Sequence, residues 1–226
     1  MLAGKPAGRN AALAFISREG GVLQDAVGRL VVESVMADRS DHGAAGRAIL
    51  AGLSWRPEGF DDALWDRLLA DEDRQVVRAA VAGIGKRGEA GRVDWLLQSL
   101  CNPELRVQAR GALTDLALAG PAVTARMESF FMDEAGPPRA RAQIPRALAT
   151  VPSQDSVDIL LKHLATEEPF LRNEVLKALG KLRSHSLGLD FDQKTVSQQI
   201  AVEVGRYFKL SALESLLPSG NPEADL

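Results

Sequence analysis

Residues 76–100, VVRAAVAGIGKRGEAGRVDWLLQSL, decide the fold of this chain. Val76, Ala80 and Ile84 follow one another at intervals of four, so they lie on one face of a helix. The small residue Gly83 completes that face. A glycine-bearing turn follows, and a second apolar helical face begins at Val93. The stretch therefore predicts two helices joined by a short turn, with Gly83-Ile84-Gly85 as a helix-packing feature.

This helix pair recurs along the chain. The four face positions of the first helix reappear as Ala45, Ile49, Gly52, Leu53; as Leu105, Ala109, Ala112, Leu113; as Ala140, Ile144, Ala147, Leu148; and as Leu171, Val175, Ala178, Leu179. The second-helix positions Val93, Leu96, Leu97 and Leu100 reappear as Val157, Leu160, Leu161 and Leu164. Self-similarity at a period near 30 residues is typical of stacked repeat architectures, in which only neighbouring units touch.

The repeated stretches resemble HEAT-like repeats. The matching segments are ADEDRQVVRAAVAGIGKRG (70–88), NPELRVQARGALTDLA (102–117) and EEPFLRNEVLKALGKLR (167–183). The resemblance implies an all-α superhelix of about six antiparallel helix pairs, with the second helices lining its concave side. We expect one domain over residues 1–217, made of an N-terminal cap pair (1–39), repeats (40–185) and a C-terminal cap helix (186–217). Residues 218–226 are expected to be a disordered tail.

A narrower resemblance gives an alternative. The segment IPRALATVPSQDSVDILLKHL (144–164) and the unit after it look like HEAT segments attached to bacterial nucleotide-transporter-like membrane proteins. The chain would then be a cytosolic regulatory domain of a larger protein. A third alternative is nucleic-acid binding, because some HEAT-like proteins are DNA glycosylases. The net charge of −3 disfavours it, since binding to phosphates needs a strongly cationic face.

Bulk composition indicates a folded chain, with 46% hydrophobic and 25% charged residues. Cys101 is the only cysteine, which excludes an intramolecular disulfide and favours a reducing, cytoplasmic location. No apolar stretch approaches the roughly 18–20 residues of a membrane span.

Catalytic and metal-binding motifs are missing from the sequence. The three histidines, His42, His163 and His185, have no cysteine or histidine at metal-ligand spacing. Carboxylate clusters such as Asp71-Glu72-Asp73 fall where helices begin, so helix capping explains them. We therefore predict a non-enzyme without metal or cofactor, which acts as an adaptor or scaffold for a protein or peptide partner.

Two surfaces are candidates for partner binding. Arg106, Arg141 and Arg172 occupy the same slot in successive units, and Lys177 joins them in the basic segment 137–185. These arginines form either a ladder that bonds neighbouring turns or carboxylates, or a docking strip for an acidic peptide, a phospholipid head group or nucleic acid. The second surface is the concave face that the resemblance implies, with Asp94, Gln98, Asp158 and Lys162 exposed on the second helices.

Overall fold

The computed structural model describes residues 6–19, 25–38, 40, 42–53, 60–185 and 188–214. Every regular element in these ranges is helical, and none of the described residues forms a strand. The predicted all-α fold is confirmed. Contacts between Cα atoms divide the chain into two compact units, Met1–Val151 and Pro152–Leu226. A single domain over residues 1–217 stays a prediction, and the expected tail at 218–226 lies outside the described residues.

The helices follow one another through short connections. They are α1 (Pro6–Glu19), α2 (Asp25–Ala37), α3 (Gly43–Gly52), α4 (Asp62–Leu69), α5 (Arg74–Arg87), α6 (Val93–Ser99), α7 (Arg106–Ala119), α8 (Pro121–Met132), α9 (Pro138–Arg141), α10 (Gln143–Leu148), α11 (Gln154–Lys162), α12 (Pro169–His185) and α13 (Gln193–Glu214). A short 3₁₀ turn, Ala90–Arg92, leads into α6.

Polar side chains cap the N-termini of several helices, as predicted from the acidic clusters in the sequence. Asp61 accepts a hydrogen bond from the amide of Leu64 at 2.8 Å and caps α4. Asp73 does the same for α5 through the amide of Gln75 at 2.7 Å. These side chains satisfy amides that have no partner within the first turn of a helix.

In the first unit, α1, α3, α5, α7 and α10 pack in succession. Helix α2 packs on α3, α4 packs on α5, and α6 and α8 pack on α7. The two apolar faces of the quoted stretch lie inside this arrangement, because Val76, Ala80, Ile84, Val93 and Leu96 are all buried. The core of the first unit is therefore built from the repeated positions.

Two glycines allow α5 to lie close to its neighbours on both sides. A Cβ atom at Gly83 would overlap the carbonyl oxygen of Ala51 on α3. A Cβ atom at Gly85 would lie 2.6 Å from the Cα atom of Ala112 on α7, which is closer than real contacts allow. The interpretation of Gly83-Ile84-Gly85 as a packing feature is confirmed.

The C-terminal end of α3 is held by a residue from α5. The Nε and Nη2 atoms of Arg87 donate to the carbonyl oxygens of Leu53 at 2.8 Å and Leu50 at 2.7 Å. The same guanidinium lies 3.9 Å above the ring of Phe60. Arg87 therefore binds carbonyls that the last turn of α3 leaves without helical partners.

The sequence pattern placed α3 one residue out of register. Of the predicted inward positions, Leu53 is buried, but Ala45 is exposed and Ile49 and Gly52 are half-buried. The neighbouring residues Gly46, Leu50 and Ala51 are buried instead. The reason is the contact with α5, because the backbone at Ala51 must meet Gly83. The correct copy of the repeated face therefore begins at Gly46.

Pro145 interrupts the first helix of the repeated pair that follows α8. Proline has no amide hydrogen, so Pro145 cannot donate to the carbonyl of Arg141 four residues earlier. The helix is accordingly divided into α9 and α10, with a break at Ala142.

The second unit contains α11, α12 and α13. Helix α12 packs on α11, and the repeated positions Leu171, Val175, Ala178 and Leu179 of α12 are buried. The connector after α12 is tied to α11 by Gln154, whose side chain exchanges two hydrogen bonds of 3.0 Å with the backbone of Asp190. The connector therefore has a fixed position where α13 begins.

Candidate functional site

The three arginines of the predicted basic strip point into their own units. Each donates from its guanidinium to a carbonyl oxygen at the end of the preceding helix or in the turn that follows it: Arg106 to Leu100 at 2.8 Å, Arg141 to Phe131 at 2.7 Å, and Arg172 to Thr166 at 2.6 Å. Arg141 and Arg172 are only 4% and 5% exposed. A positive charge at these carbonyls also complements the helix dipole. The arrangement matches the ladder interpretation, in which the arginines bond neighbouring turns.

A fourth arginine occupies this slot, and the sequence analysis missed it. Arg47 donates to the carbonyl oxygen of Asp38, which follows α2, at 3.4 Å, and it pairs with Asp71 at 2.5 Å. Its position becomes visible once the register of α3 is corrected, because Arg47 comes one residue after Gly46. The slot therefore carries an arginine in four of the helix pairs.

Arg47 and Asp71 also line a polar cavity of about 360 Å³ in the first unit, together with Arg67 and Glu72. The hydrogen bond to Asp71 raises the pKa of Arg47 above its ordinary value. The two central charges of this cavity satisfy each other, so the cavity holds a structural ion pair.

Lys177, the remaining member of the predicted strip, is exposed on α12. Its Nζ atom lies 3.2 Å from a carboxylate oxygen of Glu174, whose own side chain is buried. Lys177 therefore compensates a buried carboxylate and is the most exposed residue of the strip, whereas Arg106 is half-buried.

The predicted concave-face residues are all exposed but fall in different units. Asp94 and Gln98 lie on α6 in the first unit, and Asp94 pairs with Arg126 on α8. Asp158 and Lys162 lie on α11 in the second unit, and Asp158 accepts a hydrogen bond from Gln154 at 2.7 Å. A shared surface made from both pairs stays a prediction.

Helix α13 presents a surface that the sequence analysis did not anticipate. A helix is present where the C-terminal cap is predicted, and a cap helix would bury its apolar side. Instead Tyr207 and Phe208 are 68% and 65% exposed, and Ile200, Val204 and Leu210 are also exposed. The cap interpretation stays a prediction, although no described part of its own unit covers this half of α13.

The exposure has a simple geometric cause. Helices α12 and α13 run antiparallel, and Glu203 of α13 meets Arg172, in the first turn of α12, at 2.7 Å. Glu203 also accepts from Gln199 at 2.8 Å and from Arg206 at 2.9 Å. Arg172 lies within the first turn of α12, so little of α12 lies opposite the residues that follow Glu203. The apolar side chains near the end of α13 are therefore left uncovered by α12.

The charges near this face lie at one edge. Arg206 is exposed beside Leu210, whereas Lys209 is exposed on the opposite side of α13, because successive helical residues are turned by about 100°. The carboxylate of Glu203 is already occupied by Arg172 and Arg206. The α13 face, defined as Ile200, Val204, Tyr207, Phe208 and Leu210, is therefore an apolar surface with a basic rim at Arg206.

No described helix is long and apolar enough to cross a membrane. Among the described residues, no group of three or more histidine, cysteine or carboxylate side chains comes together to hold a metal ion. Cys101 is half-buried.

Comparison with known proteins gives no family assignment. No protein-family model and no curated protein matches the chain. Among solved structures, one engineered protein is similar over 82% of this chain and 88% of its own, with 18% identity and a TM-score of 0.36. Another engineered protein is similar over 77% and 53%, with 17% identity and a TM-score of 0.38. Likeness at this level carries no functional argument.

Proposed function

We propose that the chain is a non-catalytic protein-interaction module, an adaptor or scaffold, and that the α13 face docks an apolar helical segment with acidic flanks from a partner protein. The observation that carries the proposal is the exposure of the five apolar side chains of this face on one helix. Contiguous apolar side chains are costly to leave in water, and such patches commonly mark interaction sites.

The spacing of the α13 face suits a helical partner. Ile200, Val204, Tyr207 and Phe208 follow the i, i+4, i+7, i+8 pattern, which aligns them along one side of α13. A helix that lays its own apolar face against this row would bury all four. Tyrosine and phenylalanine are enriched among residues that anchor protein interfaces. The partner therefore gains most of its affinity from the two aromatic residues.

The basic rim selects the charge of the partner. Arg206 would attract a carboxylate at the edge of a docked helix, and it would repel a basic helix. Rim charges of this kind contribute more to specificity and association rate than to affinity.

The proposed architecture remains a HEAT-like superhelix of about six antiparallel helix pairs. The recurrence of an arginine that binds the end of the preceding helix at Arg47, Arg106, Arg141 and Arg172 supports it. In such an array α13 belongs to the last pair. A cytosolic domain of a longer protein is the second candidate, because another segment of the same protein could cover the α13 face.

The test uses a designed amphipathic peptide with leucines on one face and glutamates at its edges, together with a twin that carries lysines in place of the glutamates. We expect the acidic peptide to bind in fluorescence anisotropy and the basic twin to bind at least tenfold more weakly. The double substitution Tyr207→Ser and Phe208→Ser should abolish binding. Val107→Ser removes an equally exposed apolar residue from α7 and should leave binding unchanged. Equal binding of both peptides, or no effect of the double substitution, would refute the proposal.

A further inference from the structure

A cavity of about 390 Å³ lies between α12 and the first half of α13. Leu176, Leu179 and Arg183 line it from α12, Phe191 from the connector, and Val196 and Ile200 from α13. Its volume falls within the range of about 300–1,000 Å³ that is usual for small-molecule sites. The residues of α13 that line the cavity come before Glu203 in the sequence, whereas Tyr207 and Phe208 of the α13 face come after it.

The walls of this cavity combine apolar surface with one positive charge. Among the described residues, Arg183 is the only charged one that lines it, and Gln193 and Ser197 add neutral hydrogen-bonding groups. Arg183 is exposed, and within the described part of the chain it makes no ion pair. Asp192 is close in sequence, but its carboxylate is engaged by the amide and hydroxyl groups of Thr195. The cavity therefore favours an anionic group beside an apolar chain.

Gly180 keeps the cavity open on the side of α12. A Cβ atom at this position would meet no other atom within 4 Å. A larger side chain at residue 180 can therefore enter the cavity without displacing its neighbours. The position offers a substitution that fills the cavity and leaves the helix packing intact.

We infer that this cavity binds a small amphiphilic carboxylate. The apolar chain of the ligand lies against Leu176, Leu179, Phe191 and Val196, and its carboxylate pairs with Arg183. Guanidinium binds a carboxylate through two parallel hydrogen bonds, which fixes the orientation of the ligand. The cavity shares Ile200 with the α13 face, whereas its other lining residues lie outside that face.

The experiment compares decanoate, decanol and decyltrimethylammonium below the concentrations at which they form micelles. Titration calorimetry on the full chain should show saturable binding of decanoate, weaker binding of decanol and no binding of the cation. In NMR spectra, the methyl groups of Leu179 and Val196 should shift with decanoate, whereas those of Val107 on α7 should not. Equal binding of decanoate and the cation, or no saturable binding of decanoate, would overturn the inference.

Matched variants separate the apolar and charged parts of the site. Arg183→Gln should weaken decanoate binding at least tenfold and leave decanol unchanged, whereas Lys181→Gln, an exposed cation on the same helix, should change neither. Gly180→Leu should abolish binding of both ligands. Gly111→Leu, at another open helical glycine, is the control for the substitution itself. Full decanoate binding by Gly180→Leu would contradict the assignment of the ligand to this cavity.

Discussion

At the scale of single residues, the small positions of the repeat serve as contact points between helices. Gly83 meets the backbone of Ala51 and Gly85 meets that of Ala112, so one helix turn of α5 contacts both α3 and α7. The sequence identifies Gly83 by its place in the repeat. It does not distinguish Gly85 from Gly111, because neither is a repeated face position, yet Gly111 faces open space.

Alanine substitutions test this distinction. Gly83→Ala should lower the free energy of unfolding by about 1–3 kcal/mol, because the new methyl group forces α3 and α5 apart. Gly111→Ala should raise it by up to about 1 kcal/mol, because alanine favours a helix and meets no neighbour. Guanidinium denaturation followed by circular dichroism measures both. Equal effects at the two positions would contradict the close approach of α3 and α5.

The repeated arginines are a second feature at the residue scale. The sequence shows that they occupy the same slot, but charge alone does not tell whether a guanidinium faces solvent or a helix end. In the structure, carbonyls at the end of the preceding helix lie within reach, and they bind the guanidinium. Burial of Arg141 and Arg172 is acceptable because these carbonyls partly compensate the lost hydration.

Removal of one such arginine should destabilise the fold. Arg141→Met leaves the carbonyl of Phe131 without its donor, at a cost of about 1.5–3 kcal/mol. Arg139→Met, an exposed arginine on the same short helix, should change stability by less than about 0.5 kcal/mol. Urea denaturation compares the two variants. The docking-strip interpretation would gain support if Arg141→Met were as stable as Arg139→Met.

At the scale of helices, the repeat predicts most elements but not their rotation or their neighbours. The face of α3 was misplaced by one residue because its small residues allow two similar patterns, and only the contact at Gly83 decides between them. Helix α13 was predicted from its periodic apolar residues. Its exposure could not be predicted, because periodicity identifies an apolar face but not whether another helix covers it.

The start of α13 depends on Asp192, and this dependence has a pH signature. Hydrogen bonds from the Thr195 hydroxyl and then from its amide lower the pKa of Asp192 below the ordinary value of 3.8. Because the folded-state pKa is lowered, its stabilising contribution is present above pH 3.8 and is lost as the pH falls through the lowered pKa. NMR titration of the Asp192 carboxyl carbon should give a midpoint below 3.8.

Thr195→Val is the matched variant for Asp192, since it removes the hydroxyl and keeps the shape of the side chain. The titration midpoint of Asp192 should move upward in this variant. A midpoint at or above 3.8 in the unsubstituted chain would exclude the capping role.

At the scale of the whole molecule, the sequence predicted the all-α class because the helical repeat extends over most of the chain. The interaction surface was harder to predict, because it depends on where α12 begins relative to α13. The sequence suggested charged residues as candidate binding sites. In the structure, the arginines among them donate hydrogen bonds to backbone carbonyls of their own units. The strongest candidate is instead an apolar surface that periodicity alone would place in a core.

The most direct test of the central claim is to map the binding of the acidic amphipathic peptide on the full chain by NMR of methyl groups. We predict that the methyl signals of Ile200, Val204 and Leu210 shift on α13, while those of Leu96 and Leu97, on the helix that carries Asp94 and Gln98, do not. Shifts centred on Leu96 and Leu97, with no change on α13, would contradict the account and favour the predicted concave face.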